Sequence, residues 1–423
     1  MPLWFYQHVP VGFFIFALGA IVGSFLNVVV HRLPLGMSVV SPPSRCPTCG
    51  ARLAWHENLP IIGWFLVKGK CRYCKVKISP QYVCIEAIVA LLFLGLYIAY
   101  YVVGPSIIHP WWGGVGGDWF YYSGVYRSSP YFIAHLFLVA GLLAMTLIDA
   151  RTFTIPMQIP LVLTIVGFLA AIIQPMMPTI PATATGWPTV TTCTWPWFMS
   201  SACGMLGIFI GIFLLKTGKI RRSFADYEKY VKADEIIGNY PHARREMGVE
   251  FLFLLPCMIG LVAGYYLGKL LPATCPPIFF QSLGGALLGY LIGGGLIWSV
   301  RILGSLGFGK EAIGLGDVHL LAAVGAVLGG LDCYLVFPFI APISGLVWVA
   351  MSIGLSAMFK RARRELPFGP HLAVATLVVI LCRPAINWLI PRTMPFLPQP
   401  GLCLPTTPPV TPITPPGQVP PGP

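Results

Sequence analysis

Only 14 of the 423 residues are Asp or Glu, so every carboxylate can be weighed as a reagent. Asp226, Glu228, Asp234, Glu235, Glu246 and Glu250 belong to a charged segment or its end, and Asp118 and Asp332 read as outer-loop residues. Glu57 sits in a cysteine-containing loop, and Glu365 beside a basic run. Glu86, Asp149, Glu311 and Asp317 remain, each at the edge of a long apolar stretch. An ionisable group at the edge of a bilayer is costly and marks function by default. Asp149 closes the apolar run 136–148, and Asp317 stands in Gly314-Leu315-Gly316-Asp317 at the opening of another. Two carboxylates brought together cannot both ionise: one stays protonated as a general acid while the other activates water as a general base. Gly314 and Gly316 would let a substrate backbone approach closely. Taken singly, an Asp at a span end is more often an interfacial anchor, and Arg151 beside Asp149 keeps that reading open.

A second constellation is Cys46-Pro-Thr-Cys49 and Cys71-Arg-Tyr-Cys74, two Cys-x-x-Cys knuckles with 21 residues between them. Four thiolates on two short turns suit tetrahedral zinc, with a redox pair as the lesser reading. Cys84, Cys203, Cys257 and Cys382 fall in or near apolar stretches and read as packing residues. Cys193, Cys275 and Cys403 read as external, where a disulfide between two of them is chemically permitted.

The elements that must carry these residues are membrane spans. The chain is 56% hydrophobic and only 10% charged, against about 25% charged in a soluble domain. Several uninterrupted apolar runs approach the roughly 20 residues that cross a bilayer. The spans fall near 10–30, 83–103, 131–148, 156–174, 198–215, 250–270, 280–300, 314–331, 335–357 and 368–390. The predicted fold class is therefore an all-α polytopic membrane protein of about 8–10 transmembrane helices, with a small cytoplasmic four-cysteine zinc-knuckle loop.

The net charge of +13 is clustered: eight Lys/Arg between Arg32 and Lys77, eight between Lys216 and Arg245, and a further group over Lys360–Arg364. Every cluster abuts a span, the positive-inside pattern of an inner or plasma membrane protein, and this argues against nucleic acid as a partner. An even span count puts both termini outside and the cysteine loop and both aspartates on the cytoplasmic side. The first apolar run lacks a basic leader region and a small-residue cleavage site, so it reads as a span, not a cleaved signal. Along the chain this gives a first span (1–30), the four-cysteine loop (31–82), a membrane core with the first Asp (83–175), an inserted span pair with a charged segment (176–279), a second core with the Gly-x-Gly-Asp word (280–392), and a Pro-rich tail (393–423) too poor in apolar residues to build a core. The stretch 107–128, rich in Trp, Tyr and Gly, fits an interfacial aromatic belt.

The words around these residues resemble the bacterial prepilin peptidase family, the type IV prepilin leader peptidases of the GxGD class. Asp149-Ala-Arg-Thr-Phe-Thr-Ile-Pro156 resembles that family's first catalytic Asp, and Lys310 through Asp317 to Ala326 its second. Gly23-Ser-Phe-Leu-Asn-Val-Val-Val-His-Arg-Leu-Pro34 is similar to its opening signature and Pro367-Phe-Gly-Pro-His-Leu372 to its closing one. These words occur in the family's order over residues 10–90, 131–175 and 280–375.

The resemblance implies cleavage of basic leader peptides from prepilins or pseudopilins at the cytoplasmic face, with Asp149 and Asp317 catalytic. It also implies N-methylation of the new terminus from S-adenosylmethionine, associated with the cysteine loop. Glu86 and Glu311 would support the site or recognise a cationic leader, although pairing with a loop cation is the commoner fate of such residues. Met157 and His319 depart from the family pattern, which bears on leader specificity, and 176–279 has no counterpart in the family's core. His31, His319 and His371 form no ligand-spaced cluster and read as solvated interfacial residues. Two other functions fit the composition: a transporter using membrane carboxylates as a proton relay, and a non-catalytic assembly factor held by a zinc knuckle. Neither halves-related repeats nor mid-span carboxylates are found to favour the first.

Overall fold

In lipid the backbone of an apolar run has no hydrogen-bonding partner but itself, so it must coil. A computed structural model of the chain describes residues 3–103, 115, 117–177, 194–230, 240–347 and 368–386. All regular structure among them is helical apart from two isolated bridges, Arg45 with Arg52 and Lys70 with Lys77. The helices are α1 (Leu3–Arg32), the short α2 (Ile62–Leu66), α3 (Gln81–Tyr97), α4 (Gly117–Thr152), α5 (Gln158–Ile173), α6 (Trp195–Lys216), the single turn α7 (Tyr227–Tyr230) and α8 (Ala243–Gly268). They continue as α9 (Ile278–Phe308), α10 (Leu315–Leu328), α11 (Gly330–Leu335), α12 (Phe337–Val347) and α13 (Phe368–Leu381).

Seven of these are long and apolar enough to cross a membrane: α1, α3, α4, α5, α6, α8 and α9. The eighth to tenth expected spans correspond to the shorter apolar helices α10, α12 and α13. At 14 residues, α10 rises only about 21 Å, less than the roughly 30 Å hydrocarbon core. It is tolerated because it is jacketed by protein: Val318 and Leu320–Leu328 are all buried. A helix apolar on every face belongs in a core.

Long helices pack antiparallel with their sequence neighbours. Contacts run from Gly23–Glu86 to Gly12–Leu94 between α1 and α3, from Gly211–Phe253 to Gly268–Pro196 between α6 and α8, and from Gly294–Ala322 to Gly289–Gly325 between α9 and α10. At the last crossing a Cβ on either glycine would fall 2.0–2.1 Å from the other's carbonyl oxygen, so the two backbones touch and only hydrogen fits. This alternation brings the ends of α1, α4, α6 and α9, and the starts of α3, α5, α8 and α10, to one end of the bundle. Asp149, Asp317 and the cysteine loop share that end.

Several expectations are corrected. The third span begins well before residue 131, since α4 starts at Gly117 and bends where Gly124 takes φ 70°. Asp118 and Asp332 are helical, in α4 and α11, and Asp332 is only 2% exposed against Arg383. Glu250, at the end of the charged segment, is buried on α8. His371 is likewise buried. Cys275 is disulfide-bonded. The Pro-rich tail, Lys360–Arg364, Glu365, Asp234, Glu235, Cys193, Cys403, residues 178–193 and the first part of the aromatic stretch lie outside the described residues.

Candidate active site

Asp149 lies in the last turn of α4, and the local sequence explains why the helix stops there. Ile155 precedes a proline, which disfavours helical backbone. Phe153 turns the chain away with a left-handed φ of 53°, its amide closing onto the Asp149 carbonyl at 2.9 Å. Asp317 opens α10 from the opposite direction: Gly314, with φ −67° and ψ 147°, caps the helix, and Asp317 falls in its first turn.

The two side chains come together. Both are buried, Asp149 at 6% and Asp317 at 8% exposure, and each lies within direct electrostatic reach of the other. Ile155 packs against a glycine beside each aspartate: a Cβ on Gly316 would fall 2.8 Å from its Cβ, and a Cβ on Gly369 would fall 3.2 Å from its Cδ1. Gly369, at the start of α13, donates its amide to Asp149 Oδ2 at 3.1 Å. Gly314 borders Asp317 Oδ2, where a Cβ would sit at 3.5 Å. Asp317 Oδ1 is buried without a hydrogen-bond partner among the described residues. A buried polar atom left unpaired demands an explanation, and a reacting water or substrate group supplies one.

Glu311 does not face a loop cation. It pairs with Arg301 of α9 at 2.5 Å, and Arg301 also binds Glu250 of α8 in a bidentate fork at 2.9–3.1 Å. Glu86, 8% exposed, accepts the Ile61 amide at 2.6 Å and borders a cavity beneath the cysteine loop. His31 borders the same cavity. Sequence reasoning missed Gly369, Ile155, Arg301 and Glu250 as parts of the site. Arg301 carried a readable signal: a lone cation within an apolar run needs a buried partner.

The four cysteines converge. Their Sγ atoms lie within 4.8 Å of one another, with Cys46–Cys74 at 3.8 Å and Cys49–Cys71 at 3.9 Å. A tetrahedron with Zn–S of about 2.3 Å has edges of about 3.8 Å, so the set fits zinc. The two knuckles share one construction. In each, the first cysteine's carbonyl accepts the amide of the residue after the second cysteine, Gly50 or Lys75, and both residues have positive φ. Amides of Cys49 and Thr48 lower the Cys46 thiol to about 6, which favours the thiolate form that a metal takes.

Beneath this cluster, between the loop and the α1–α3 pair, is a cavity of about 430 Å³, within the size range of small-molecule sites. Glu57, Trp64, Tyr82, Arg72 and Glu86 line it. Glu57 Oε1 is buried with no hydrogen-bond partner among the described residues, Arg72 standing 3.9 Å away.

A helical membrane bundle thus buries two aspartates from remote helices at one end. Residues 17–100 match the family described as the bacterial peptidase A24 N-terminal domain. A prepilin leader peptidase/N-methyltransferase of Klebsiella pneumoniae is 31% identical over 205 residues, 46% of this chain and 78% of that protein. The Stutzerimonas stutzeri protein of the same name is 27% identical over 406 residues, 90% of this chain and 94% of its own. That of Myxococcus xanthus is 52% identical over 80 residues, spanning 19% of this chain and 24% of the relative. The chain belongs to the prepilin leader peptidase/N-methyltransferase family. No solved structure matches it.

Proposed function

We propose that Asp149 and Asp317 are the acid–base pair of an endopeptidase that removes basic leaders from type IV prepilins or pseudopilins at the cytoplasmic face of the inner membrane. The observation that carries this reading is the pair itself: two buried carboxyls from remote helices, one of them with an unpaired buried oxygen. One carboxylate takes a proton from water, which attacks the scissile carbonyl carbon. The other, protonated, polarises the carbonyl oxygen, and the departing amine collects the proton. The Gly369 amide holds Asp149 in place, and Gly314 and Gly316 leave room for an extended substrate backbone beside Asp317.

Topology supports a cytoplasmic site. Cys275, disulfide-bonded, precedes α9, whereas Arg301 and the Asp317 turn lie at the far end of that helix. The separation is about 35 Å at 1.5 Å per residue. Disulfides persist on the oxidising side and free thiol clusters on the reducing side. Both carboxylates stand at helix ends, not at mid-span, which disfavours a proton-relay transporter.

The cavity under the zinc knuckle is the candidate site for the second activity named in the relatives. S-adenosylmethionine bound there would supply an electrophilic methyl group. Glu57 and Glu86 offer carboxylates for an ammonium group, Trp64 and Tyr82 offer faces for a cation, and the four-thiolate zinc would hold the loop closed over the cavity.

The test is to incubate the purified chain with a full-length prepilin in detergent and weigh the products. Loss of the leader at a single bond supports the peptidase, and a mature chain heavier by one methyl supports the transferase. An intact prepilin after prolonged incubation would contradict the first reading, and an unmethylated terminus with donor present the second.

A further inference from the structure

The inserted pair α6–α8, which the family resemblance leaves without a role, contributes the carboxylate partner of the arginine that holds the turn before Asp317. Glu250 of α8 is 3% exposed and Arg301 of α9 only 2% exposed. Glu250 accepts Nε and Nη2 of Arg301 and also the Trp298 indole N–H at 2.8 Å. The remaining arm of the guanidinium, Nη1, donates to the Ile313 carbonyl and to Glu311 Oε1. Ile313 is the residue before Gly314, the cap of the helix that presents Asp317. Beside it the Ala312 amide donates to Ser305 of α9 at 3.0 Å. From the segment between α6 and α8, Phe224 lays its ring 5.3 Å from the Arg301 guanidinium carbon.

We infer that Arg301, oriented and neutralised by Glu250, is a positioning residue that sets the backbone of residues 311–314 and so fixes where Asp317 meets Asp149. This rests on the peptidase reading above. The argument is one of geometry. A buried guanidinium is strongly disfavoured without a carboxylate partner. Glu250 engages two of its nitrogens, leaving the third, Nη1, aimed at a carbonyl one residue from the α10 cap. Lysine carries the same charge but is a point donor on a flexible stem and cannot hold three separated acceptors in one plane. The insert is thus part of the catalytic frame, because its helix supplies the counter-ion on which the frame is aligned.

The experiment compares wild type with Arg301→Lys, Arg301→Gln and Glu250→Gln in the full chain, each normalised to monodisperse protein in detergent. Displacement of a catalytic group by about 1 Å costs on the order of 100-fold in rate, so kcat for leader cleavage falls on that scale in Arg301→Gln, with KM unchanged. Arg301→Lys is expected to recover less than a tenth of the loss. Glu250→Gln, an isostere that keeps the fold, lowers kcat about tenfold through the same misplacement.

Amide hydrogen exchange over 309–316 is read alongside, and rises in all three variants while exchange in α5 does not. Exchange needs no activity, so it tests positioning even if Arg301 variants prove inactive. A wild-type chain that cleaves nothing overturns the peptidase reading on its own. An active wild type overturns the present inference if Glu250→Gln and Arg301→Lys keep wild-type kcat and wild-type exchange, or if their loss lies wholly in KM.

Discussion

The Gly369 amide donates a hydrogen bond to Asp149 Oδ2 at 3.1 Å across 220 residues of sequence, and a methyl group on Gly369 would intrude to 2.7 Å from that same oxygen. Donor and space are supplied by one residue, so a larger residue at this position would push the Asp149 carboxylate aside. The contact joins the last turn of α4 to the first turn of α13 and fixes the rotamer of one of the two carboxylates.

Gly369→Ala is therefore expected to lower leader cleavage by about 100-fold through displacement of Asp149. Gly316→Ala, which would meet Ile155 at 2.8 Å, should behave alike. Gly295→Ala serves as the control, since nothing lies within 4 Å of its added Cβ. Steady-state cleavage rates check this. Full activity in Gly369→Ala would remove the packing argument around Asp149.

The four thiol sulfurs are spaced for a tetrahedral ion, so the purified chain should carry one zinc per molecule, measurable by elemental mass spectrometry. Cys46→Ser and Cys71→Ser should lose it and lose methylation, while cleavage changes less than about threefold because the Asp pair stands on separate helices. Metal-free wild type that still methylates at full rate would contradict a structural role for the ion.

Glu57→Gln and Trp64→Ala test the cavity. Each is expected to raise the KM for S-adenosylmethionine, by about tenfold for a lost charge-assisted contact or cation–aromatic face. Leader removal should continue unaltered. A KM equal to wild type in both variants would move the donor site elsewhere.

Buried Asp332 of α11 pairs with Arg383, half-buried just beyond the C-terminal end of α13. Arg383→Gln leaves a carboxylate uncompensated at 2% exposure, a change that costs about 3–5 kcal/mol. Asp332→Asn introduced together with Arg383→Gln should restore most of the loss, since neither charge then remains. Thermal unfolding in detergent of the two single variants and the double variant reads the coupling. Strict additivity would show that the pair contributes nothing.

What could be read beforehand followed from scarcity. With 14 acids in the chain, Asp149 and Asp317 stood out because each closes or opens an apolar run, and the cysteines declared themselves by spacing. Their convergence was not legible, because it depends on Ile155, Gly316 and Gly369 sharing one small space. Nothing in a one-dimensional pattern says which glycine approaches which carboxylate. The partner of Glu250 was hidden for a related reason: it sits at the edge of a charged segment, and only the packing of α8 on α9 turns it toward Arg301. Asp332 looked like a loop residue because Gly329 and Gly330 break the helix before it. The partner that buries it, Arg383, is 51 residues away. The shortness of α10 was visible in its length, but its core position followed only from the helices around it.

The decisive measurement is the rate of leader removal by Asp149→Asn and by Asp317→Asn, each purified from the membrane and shown to keep the wild-type exchange pattern. Loss of one member of an acid–base pair removes about 10²–10⁴-fold in rate, so both variants should fall at least to the lower bound, and neither should be restored by changing pH. Cleavage at the wild-type rate by either variant would contradict the assignment of the pair.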